Sequence, residues 1–337
     1  MVHLAPWNVA ESNFPHESEL EQQLTFLLKY AILAPSSHNS QPWKFSVESN
    51  DLAIFPDFSR SLPVVDPYHR ELFISLGCAL ENLLVAADHF GFKTAVDYLP
   101  EGEEAGPAAR VSCKPGKEPF SRSLFHSIPR RHTNRLRYGP ISIEKELLDQ
   151  LIDCRRENDL MLEIVVGQEL KSQVGELIIQ ADQKQFSNKG FREELAEWLR
   201  PNIGKVVDGL PGYTQGVSTL PSLFSSMFVR GLNIAKGQMN KDRKLVDNSP
   251  ALTVIFSKEN DTESWLKVGQ FYERLALLAT NIGIVQAPMN QPVEIPELAD
   301  ELADLLGRKG RPQMLFRMGH AKPAQPIPRR PLEEVLI

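Results

Sequence analysis

The chain has few cysteines and no excess of basic charge. Among its 337 residues only Cys78, Cys113 and Cys154 are cysteines, they lie far apart, and no CxxC pair occurs. A disulfide framework or a metal site is therefore not expected, and a reducing compartment fits. The formal net charge of −6 argues against nucleic acid as the main partner.

Long apolar runs are also missing. No segment approaches the roughly 18 apolar residues of a membrane span. The first twenty residues contain Pro6, Pro15 and several acids, without a basic stretch followed by an apolar one. We therefore expect no membrane association, no signal peptide and a cytoplasmic location. With 42% hydrophobic and 24% charged residues, the chain has the composition of one large or two medium globular domains.

Two segments, each bounded by glycines, align with each other without gaps. Residues 77–91 read GCALENLLVAADHFG and residues 269–283 read GQFYERLALLATNIG, so that the glycines at both ends coincide, as do Glu81 and Glu273. The apolar residues between them follow a helical period, and each segment is predicted to be a buried helix that ends at a glycine. The match predicts an internal duplication. The alternative is two unrelated core helices with coincident glycines.

The pattern around these helices predicts two halves that each mix helices and strands. We place the first repeat at 1–120 and the second at 121–337. A stretch rich in glycine and proline, about 184–238, interrupts the second repeat and is typical either of a lid over a site or of a surface excursion. Outside the two aligned segments, helices are predicted at 20–33, 143–157 and 191–199, and strands at 44–48, 52–56, 93–99, 109–114, 160–166, 251–257 and 313–318.

Two polar segments are candidates for a binding site. The first, Ala34-Pro-Ser-Ser-His-Asn-Ser-Gln-Pro-Trp-Lys-Phe45, leaves a helix and enters a strand, and offers hydroxyls and an amide to a ring with a donor and acceptor edge. The second, Arg130-Arg-His-Thr-Asn-Arg135, carries three arginines, which suit an anion such as phosphate. From composition alone, a plain turn and a solvated basic patch remain alternatives.

Together these segments resemble the nitroreductase family of FMN flavoproteins, in particular its tandem, single-chain Acg-like branch. The resemblance runs from about residue 24 to 336 and is weakest in the insertion. It implies an α+β nitroreductase-like fold in which two tandem repeats form an intrachain pseudo-dimer with a lid-like insertion. It also implies FMN as the cofactor.

The resemblance assigns cofactor contacts to four places in the chain. In the family, an Arg-x-Ser/Thr-x-Arg/Lys element holds the flavin phosphate and pyrimidine edge, an APSxxN loop contacts the same flavin, a proline-containing turn faces flavin N5, and a C-terminal basic residue reaches the phosphate. The matching residues of this chain are Arg131, His132, Thr133 and Arg135, then Pro35, Ser36, Ser37 and Asn39, then Pro288, Met289 and Asn290, and finally Arg329 or Arg330.

Each motif occurs once, although the repeat occurs twice. We therefore predict one FMN per chain, between the repeats. The resemblance implies an NAD(P)H-dependent oxidoreductase that reduces a small acceptor such as a nitro compound or a quinone. The alternative is a protein that stores or sequesters FMN beneath a closed lid. The acceptor, the choice of NADH or NADPH, and the state as monomer or homodimer stay open.

No catalytic residue is predicted, because flavin chemistry requires no general acid or base. His38 and His132 are interpreted as packing or hydrogen-bonding residues. The acid pairs Asp66/Glu71 and Glu273/Glu294 are interpreted as helix caps and fold contacts.

Overall fold

The computed structural model describes residues 3–103, 106–116 and 124–337. Its described part contains helices and antiparallel sheets. The predicted repeat boundary, between residues 120 and 121, lies outside the described residues. The helices are α1 (Leu20–Ala31), α2 (Arg70–His89), α3 (Lys145–Asp153), α4 (Gln168–Ser187), α5 (Lys189–Trp198), α6 (Thr219–Ser222), α7 (Ser225–Gly231), α8 (Ala235–Asp247), α9 (Thr262–Asn281) and α10 (Pro296–Leu305).

Two four-stranded sheets share one topology. The first has the strand order β1-β2-β4-β3 and the second has the order β5-β8-β10-β9. In each sheet one long helix, α2 or α9, separates the second strand from the third along the chain. The strands are β1 (Trp43–Glu48), β2 (Asp51–Pro56), β3 (Phe92–Tyr98), β4 (Ala109–Pro115), β5 (Leu160–Val165), β6 (Leu199–Arg200), β7 (Leu210–Pro211), β8 (Ala251–Ser257), β9 (Val285–Pro288) and β10 (Arg311–Gly319).

The two aligned helices contact each other at their matched glycines. A Cβ atom added to Gly77 would lie 2.0 Å from the carbonyl oxygen of Leu266, and one added to Gly269 would lie 2.0 Å from that of Ile74. In both cases the blocking carbonyl belongs to the residue three positions before the glycine of the other helix. The contact is therefore symmetric. The close approach of two backbones explains why glycine stands at both positions.

The largest apolar cluster contacts both sheets. It packs α1, α2 and α9 against the first sheet and against one face of the second. Another packs α4, α8 and α10 against the second sheet. Helix α2 is long and apolar enough to cross a membrane, but 83% of its apolar window is buried inside the protein.

The C-terminal segment crosses from the second sheet to the first. Beyond β10, residues 320–331 run without helix or strand. Leu336 then forms a parallel bridge with Phe45 of β1, and the Ile337 amide donates to the Phe45 carbonyl at 2.9 Å. This path brings Arg329 to the loop that precedes β1.

Most predicted elements are present, with shifted ends. Helices α2 and α9 each begin seven residues before the aligned glycines, at Arg70 and Thr262, because the preceding turns also have helical periodicity. Helix α3 is shorter than predicted and ends at Asp153. The sequence interpretation did not include α4, α8 or α10, whose polar exposed faces weaken the apolar period.

Candidate functional site

A cavity of about 680 Å³ is lined by residues from the N-terminal and the C-terminal parts of the chain. Its wall includes residues of both predicted motifs, of the Pro288 turn and of the insertion. A smaller recess of about 20 Å³, enough for about one water molecule, adjoins the motif side. The members of the predicted set that line the cavity or the recess are Pro35, Ser36, Ser37, Asn39, Arg131, His132, Thr133, Arg135, Pro288, Asn290 and Arg329.

The loop between α1 and β1 has an unusual backbone. His38, Asn39 and Gln41 have φ values of 52°, 54° and 53°, in the left-handed region that residues other than glycine rarely adopt. The Gln41 amide donates to Ser36 Oγ at 2.9 Å and helps to hold this shape. Strained loops of this kind persist where surrounding contacts hold them, and they cluster at binding sites.

Arg131 is buried and already has partners. Its Nε lies 3.0 Å from Glu273 Oε1, and its Nη2 donates to the Leu33 carbonyl at 2.9 Å. Burial raises the pKa of Glu273 to about 7, against the opposing charge of Arg131. His132 packs edge-on against Trp7, and burial lowers its pKa to about 3, so the ring is neutral.

Arg135 has a different environment, although it lies only four residues further on. It lines both the cavity and the recess with Thr133. Burial and the nearby charge of Arg317 lower its pKa, and no carboxylate within the described ranges offsets its charge. An uncompensated guanidinium at a cavity wall is a receptor for an anion or for an electron-rich ring edge.

Arg329 binds the loop before β1. Its guanidinium donates to Asn39 Oδ1 at 2.8 Å and to the carbonyls of Leu33 and Ala34 at 3.0 and 2.9 Å. Asn39 in turn donates to the carbonyls of Gly209 and Pro328. Both side chains are 1% exposed, and the Nε of Arg329 has no partner among the described residues.

Arg330 and Met289 do not line the cavity. Arg330 donates to the Gln41 carbonyl at 3.2 Å and lies 3.6 Å from Asp57. The side chain of Met289 packs into the core of the second sheet. Between the two C-terminal arginines, the structure therefore brings Arg329 to the site.

Two further cations lie near Arg135 and were absent from the predicted set. Lys241 of α8 lines the cavity, and burial lowers its pKa despite the nearby carboxylate of Asp242. Arg317 of β10 stacks over Tyr138 at 3.9 Å, and its Nη1 is buried without a partner in the described ranges. Neither belongs to a recognised motif, and Lys241 lies in a run of charged residues at 241–244 that does not distinguish it from a solvated helix face.

Three acidic residues, Glu71, Asp182 and Glu294, also line the cavity, and each contacts another carboxyl group. Glu71 contacts Glu294, and Asp182 contacts Asp242. Burial and the neighbouring carboxylate raise the pKa of Asp182 to about 8 and that of Glu294 well above its usual value. Asp66 does cap α2, because it accepts from the Leu72 amide at 2.9 Å.

Glu71 differs from the helix-cap interpretation. It accepts hydrogen bonds from the side chains of Ser37 and Asn290, and the Asn290 bond is 2.9 Å long. Its partners therefore belong to the site motifs. Within the described residues, no group of three or more histidine, cysteine or acidic side chains could hold a metal ion.

Comparison with known proteins finds relatives that cover nearly the whole chain. No family model matches it. It is 26% identical over 331 residues to a Mycobacterium tuberculosis protein provisionally named NAD(P)H nitroreductase Rv3131, with 96% of this chain and 93% of the relative covered. It is 25% identical over 317 residues to the acg protein of that species, also provisionally named an NAD(P)H nitroreductase, with 91% and 93% covered.

A relative outside the mycobacteria also matches along its length. The protein provisionally named NAD(P)H nitroreductase PigM, from a Serratia species, is 22% identical over 340 residues, with 94% of this chain and 93% of that protein covered. Among solved structures, the FMN-dependent nitroreductase NfnB of Mycobacterium smegmatis has 17% identity and a TM-score of 0.42, with 63% of this chain and 96% of that chain covered. The chain is a mixed helix-and-sheet protein, and it is similar along nearly its whole length to proteins provisionally named NAD(P)H nitroreductases.

Proposed function

We propose that the chain is an FMN-dependent oxidoreductase that takes reducing equivalents from NAD(P)H and passes them to a small acceptor, such as a nitro compound or a quinone. One observation carries the proposal. The loop at Pro35 to Asn39 and the segment at Arg131 to Arg135 lie far apart in sequence and line the same cavity. Both were predicted to contact one flavin.

The residues present suit FMN. The cavity, at about 680 Å³, is within the roughly 300–1,000 Å³ of small-molecule sites. Arg135 and the Arg329 Nε, which has no partner among the described residues, supply donors for a negatively charged ligand at the cavity and its recess. Bound FMN would supply the hydride chemistry, and these cations would stabilise its reduced, anionic form.

The phosphate end requires local rearrangement. The recess beside Arg131 and Arg329 is only about 20 Å³, and both guanidiniums donate to backbone carbonyls of the α1 terminus. We propose that phosphate oxygens replace some of these carbonyls when the cofactor binds. The exchange replaces a neutral carbonyl acceptor by an anionic one, to which a guanidinium can donate two parallel hydrogen bonds.

We propose further that the chain is a tandem pseudo-dimer, with repeats at 1–120 and 121–337 and one FMN between them. The shared strand order of the two sheets and the symmetric contact of Gly77 with Gly269 support this interpretation. The glutamates at the two matched positions have different partners, and this difference supports a single pocket. Glu273 pairs with Arg131 of the motif, whereas Glu81 pairs with Arg274, which Glu157 also binds at 3.1 Å.

The storage alternative rests on the insertion. Its side chains, including Phe191, Leu210, Val217 and Phe228, line the cavity opposite the motifs. If this segment acts as a lid that covers the flavin face, nicotinamide cannot stack there, and the protein holds FMN without turnover.

Two measurements decide between these functions. The purified protein is denatured and its released flavin is counted per polypeptide; we expect one, and two would contradict the single-pocket proposal. NADH or NADPH is then added to the FMN-loaded protein without oxygen. Loss of the yellow absorbance within seconds supports the oxidoreductase, whereas persistent colour supports storage.

A further inference from the structure

The cavity wall contains a chain of hydrogen-bonded groups that ends at a hydroxyl. Glu294 contacts Glu71, and Glu71 Oε2 accepts from Ser37 Oγ. Ser37 lies in the loop before β1, Glu71 in the first turn of α2, and Glu294 just before α10. All three line the cavity. Three separate elements therefore place two carboxyl groups and one hydroxyl in series.

Other contacts hold the carboxyl pair in place. Asn290 Nδ2 donates to Glu71 Oε1 at 2.9 Å, and Arg70 Nη2 lies 3.1 Å from the same oxygen. Gln185 Nε2 donates to Glu294 Oε2 at 2.5 Å. With Glu71 only 4% exposed, two adjacent negative charges would be costly, and the pair retains a proton.

The proton resides mainly on Glu294. Burial raises the pKa of Glu71, but the charge of Arg70 and the hydrogen bond from Ser37 outweigh it and hold that pKa below its usual value. Burial and the charge of Glu71 raise the pKa of Glu294 well above its usual value. The other titratable groups facing the pair are Asp66 and His38, and burial lowers the pKa of His38 to about 4, which leaves it neutral.

We propose that Ser37 is a catalytic proton donor to the reduced acceptor and that the Glu71–Glu294 pair resupplies its proton. The inference rests on the proposed oxidoreductase function. A quinone acceptor gains two electrons as a hydride, drawn ultimately from NAD(P)H, and becomes an anion. The O–H bond of Ser37 breaks as the new O–H bond of the product forms. The Ser37 hydroxyl, which donates to Glu71 Oε2 before the reaction, turns toward the product oxygen. As its proton leaves, the proton of Glu294 passes to Glu71 and from Glu71 to Ser37 Oγ, and the pair takes one proton back from water.

The test separates proton transfer from electron transfer. The FMN-loaded protein is reduced with dithionite in the absence of oxygen and mixed rapidly with 1,4-benzoquinone or with ferricyanide, which takes one electron and no proton. For Ser37→Ala and Glu71→Gln we expect reoxidation by the quinone to be about 100-fold slower, since positioned acids contribute roughly 10²–10⁴-fold. The ratio of the ferricyanide rate to the quinone rate, in which any change of flavin binding cancels, should therefore rise about 100-fold above that of the wild type. Ser37→Thr should restore the wild-type ratio.

The outcomes are distinct. If NAD(P)H does not reduce the FMN of the wild-type protein and the dithionite-reduced protein does not pass electrons to quinone, the proposed function and this inference both fail. If the wild type reduces quinone but Ser37→Ala does so at the same rate, only the proton donor is wrong. If Ser37→Ala slows both acceptors equally, the hydroxyl positions the cofactor and the inference is overturned. Because Ser37→Ala removes a single oxygen from a loop, the test does not depend on folding of the buried glutamate variants.

A second readout needs no cofactor. Infrared spectra of the FMN-free protein at neutral pH should contain the carbonyl band of a protonated carboxylic acid that shifts in D₂O. The measurement uses an Asp182→Asn background, because Asp182, with its pKa raised to about 8, is also protonated there. Glu273, with its pKa raised to about 7, contributes to the same band, so the comparison is one of intensity: Glu294→Gln in that background should reduce the band. An unchanged band intensity would show that the pair does not hold the proton.

Discussion

Replacing Gly269 by alanine would test the contact on which the arrangement of the two halves depends. The new Cβ would lie 2.0 Å from the Ile74 carbonyl oxygen, whereas ordinary contacts begin at 3.4 Å, so α2 and α9 must separate by up to about 1.4 Å. Adding a methylene to a packed core costs about 1–3 kcal/mol when side chains can yield. Here backbone blocks the new atom, and we expect a loss of about 3–5 kcal/mol.

A double variant with alanine at both Gly77 and Gly269 tests whether both residues belong to the same contact. One separation of the helices relieves the clash at both Gly77 and Gly269, so the double alanine variant should lose clearly less stability than the sum of the two single variants. Gly231→Ala is the matched control, because nothing lies within 4 Å of its added Cβ. Its expected change is within about 0.5 kcal/mol.

Thermal unfolding, monitored by circular dichroism, measures these losses of stability as shifts of Tm. An unfolding entropy of about 2.1 cal/mol/K per residue gives about 0.7 kcal/mol/K for this chain, so each kcal/mol shifts Tm by about 1.4 °C. Gly269→Ala should therefore lower Tm by about 4–7 °C. A Tm within one degree of the wild type, or strict additivity in the double variant, would refute the proposed backbone contact.

Three further substitutions test the site and its surroundings. Arg135→Gln should weaken FMN binding by about 10- to 100-fold, since hydrogen bonds from charged groups contribute about 1.5–3 kcal/mol. Flavin fluorescence titration measures the affinity. As a control, Arg137→Gln, at an exposed position, should bind FMN with the affinity of the wild type. His132 has its pKa lowered from 6.5 to about 3, so its stabilising contribution is complete above pH 6.5 and is lost as the pH falls toward 3. His132→Asn should flatten the fall of the urea midpoint between about pH 7 and 5, and an unchanged slope would exclude this histidine. Arg274→Met should cost about 3–5 kcal/mol by leaving the Glu81 carboxylate buried and unpaired, and adding Glu81→Gln should recover part of that loss; no recovery would contradict the pairing.

The local elements could be predicted because their causes are local. The helical period at 77–91 and 269–283 and the proline after α1 are short-range signals, and the corresponding helices and turn are present. The ends of α2 and α9 could not be placed from the aligned glycines, since those glycines lie within the helices at the crossing point. Exposed helices such as α8 escaped prediction because few of their residues face the core.

The site was only partly predictable for a related reason. Its motifs contain consecutive residues, and their chemistry is visible in the sequence. Lys241, Arg317, Glu71 and Glu294 belong to neither motif, and their relation to the site arises only where distant elements meet.

The sequence alone determined the family resemblance, the duplicated helices, and the two polar segments suited to a flavin and its phosphate. These follow from residue type and spacing, which act over a few residues. Only the tertiary structure decided that both segments line one cavity, and that Arg135 has no carboxylate partner whereas Arg131 pairs with Glu273. It also decided that Glu71 meets Glu294. The reason is physical: the charge balance and the pKa of a buried group depend on every neighbour within a few ångströms, and those neighbours come from all parts of the chain.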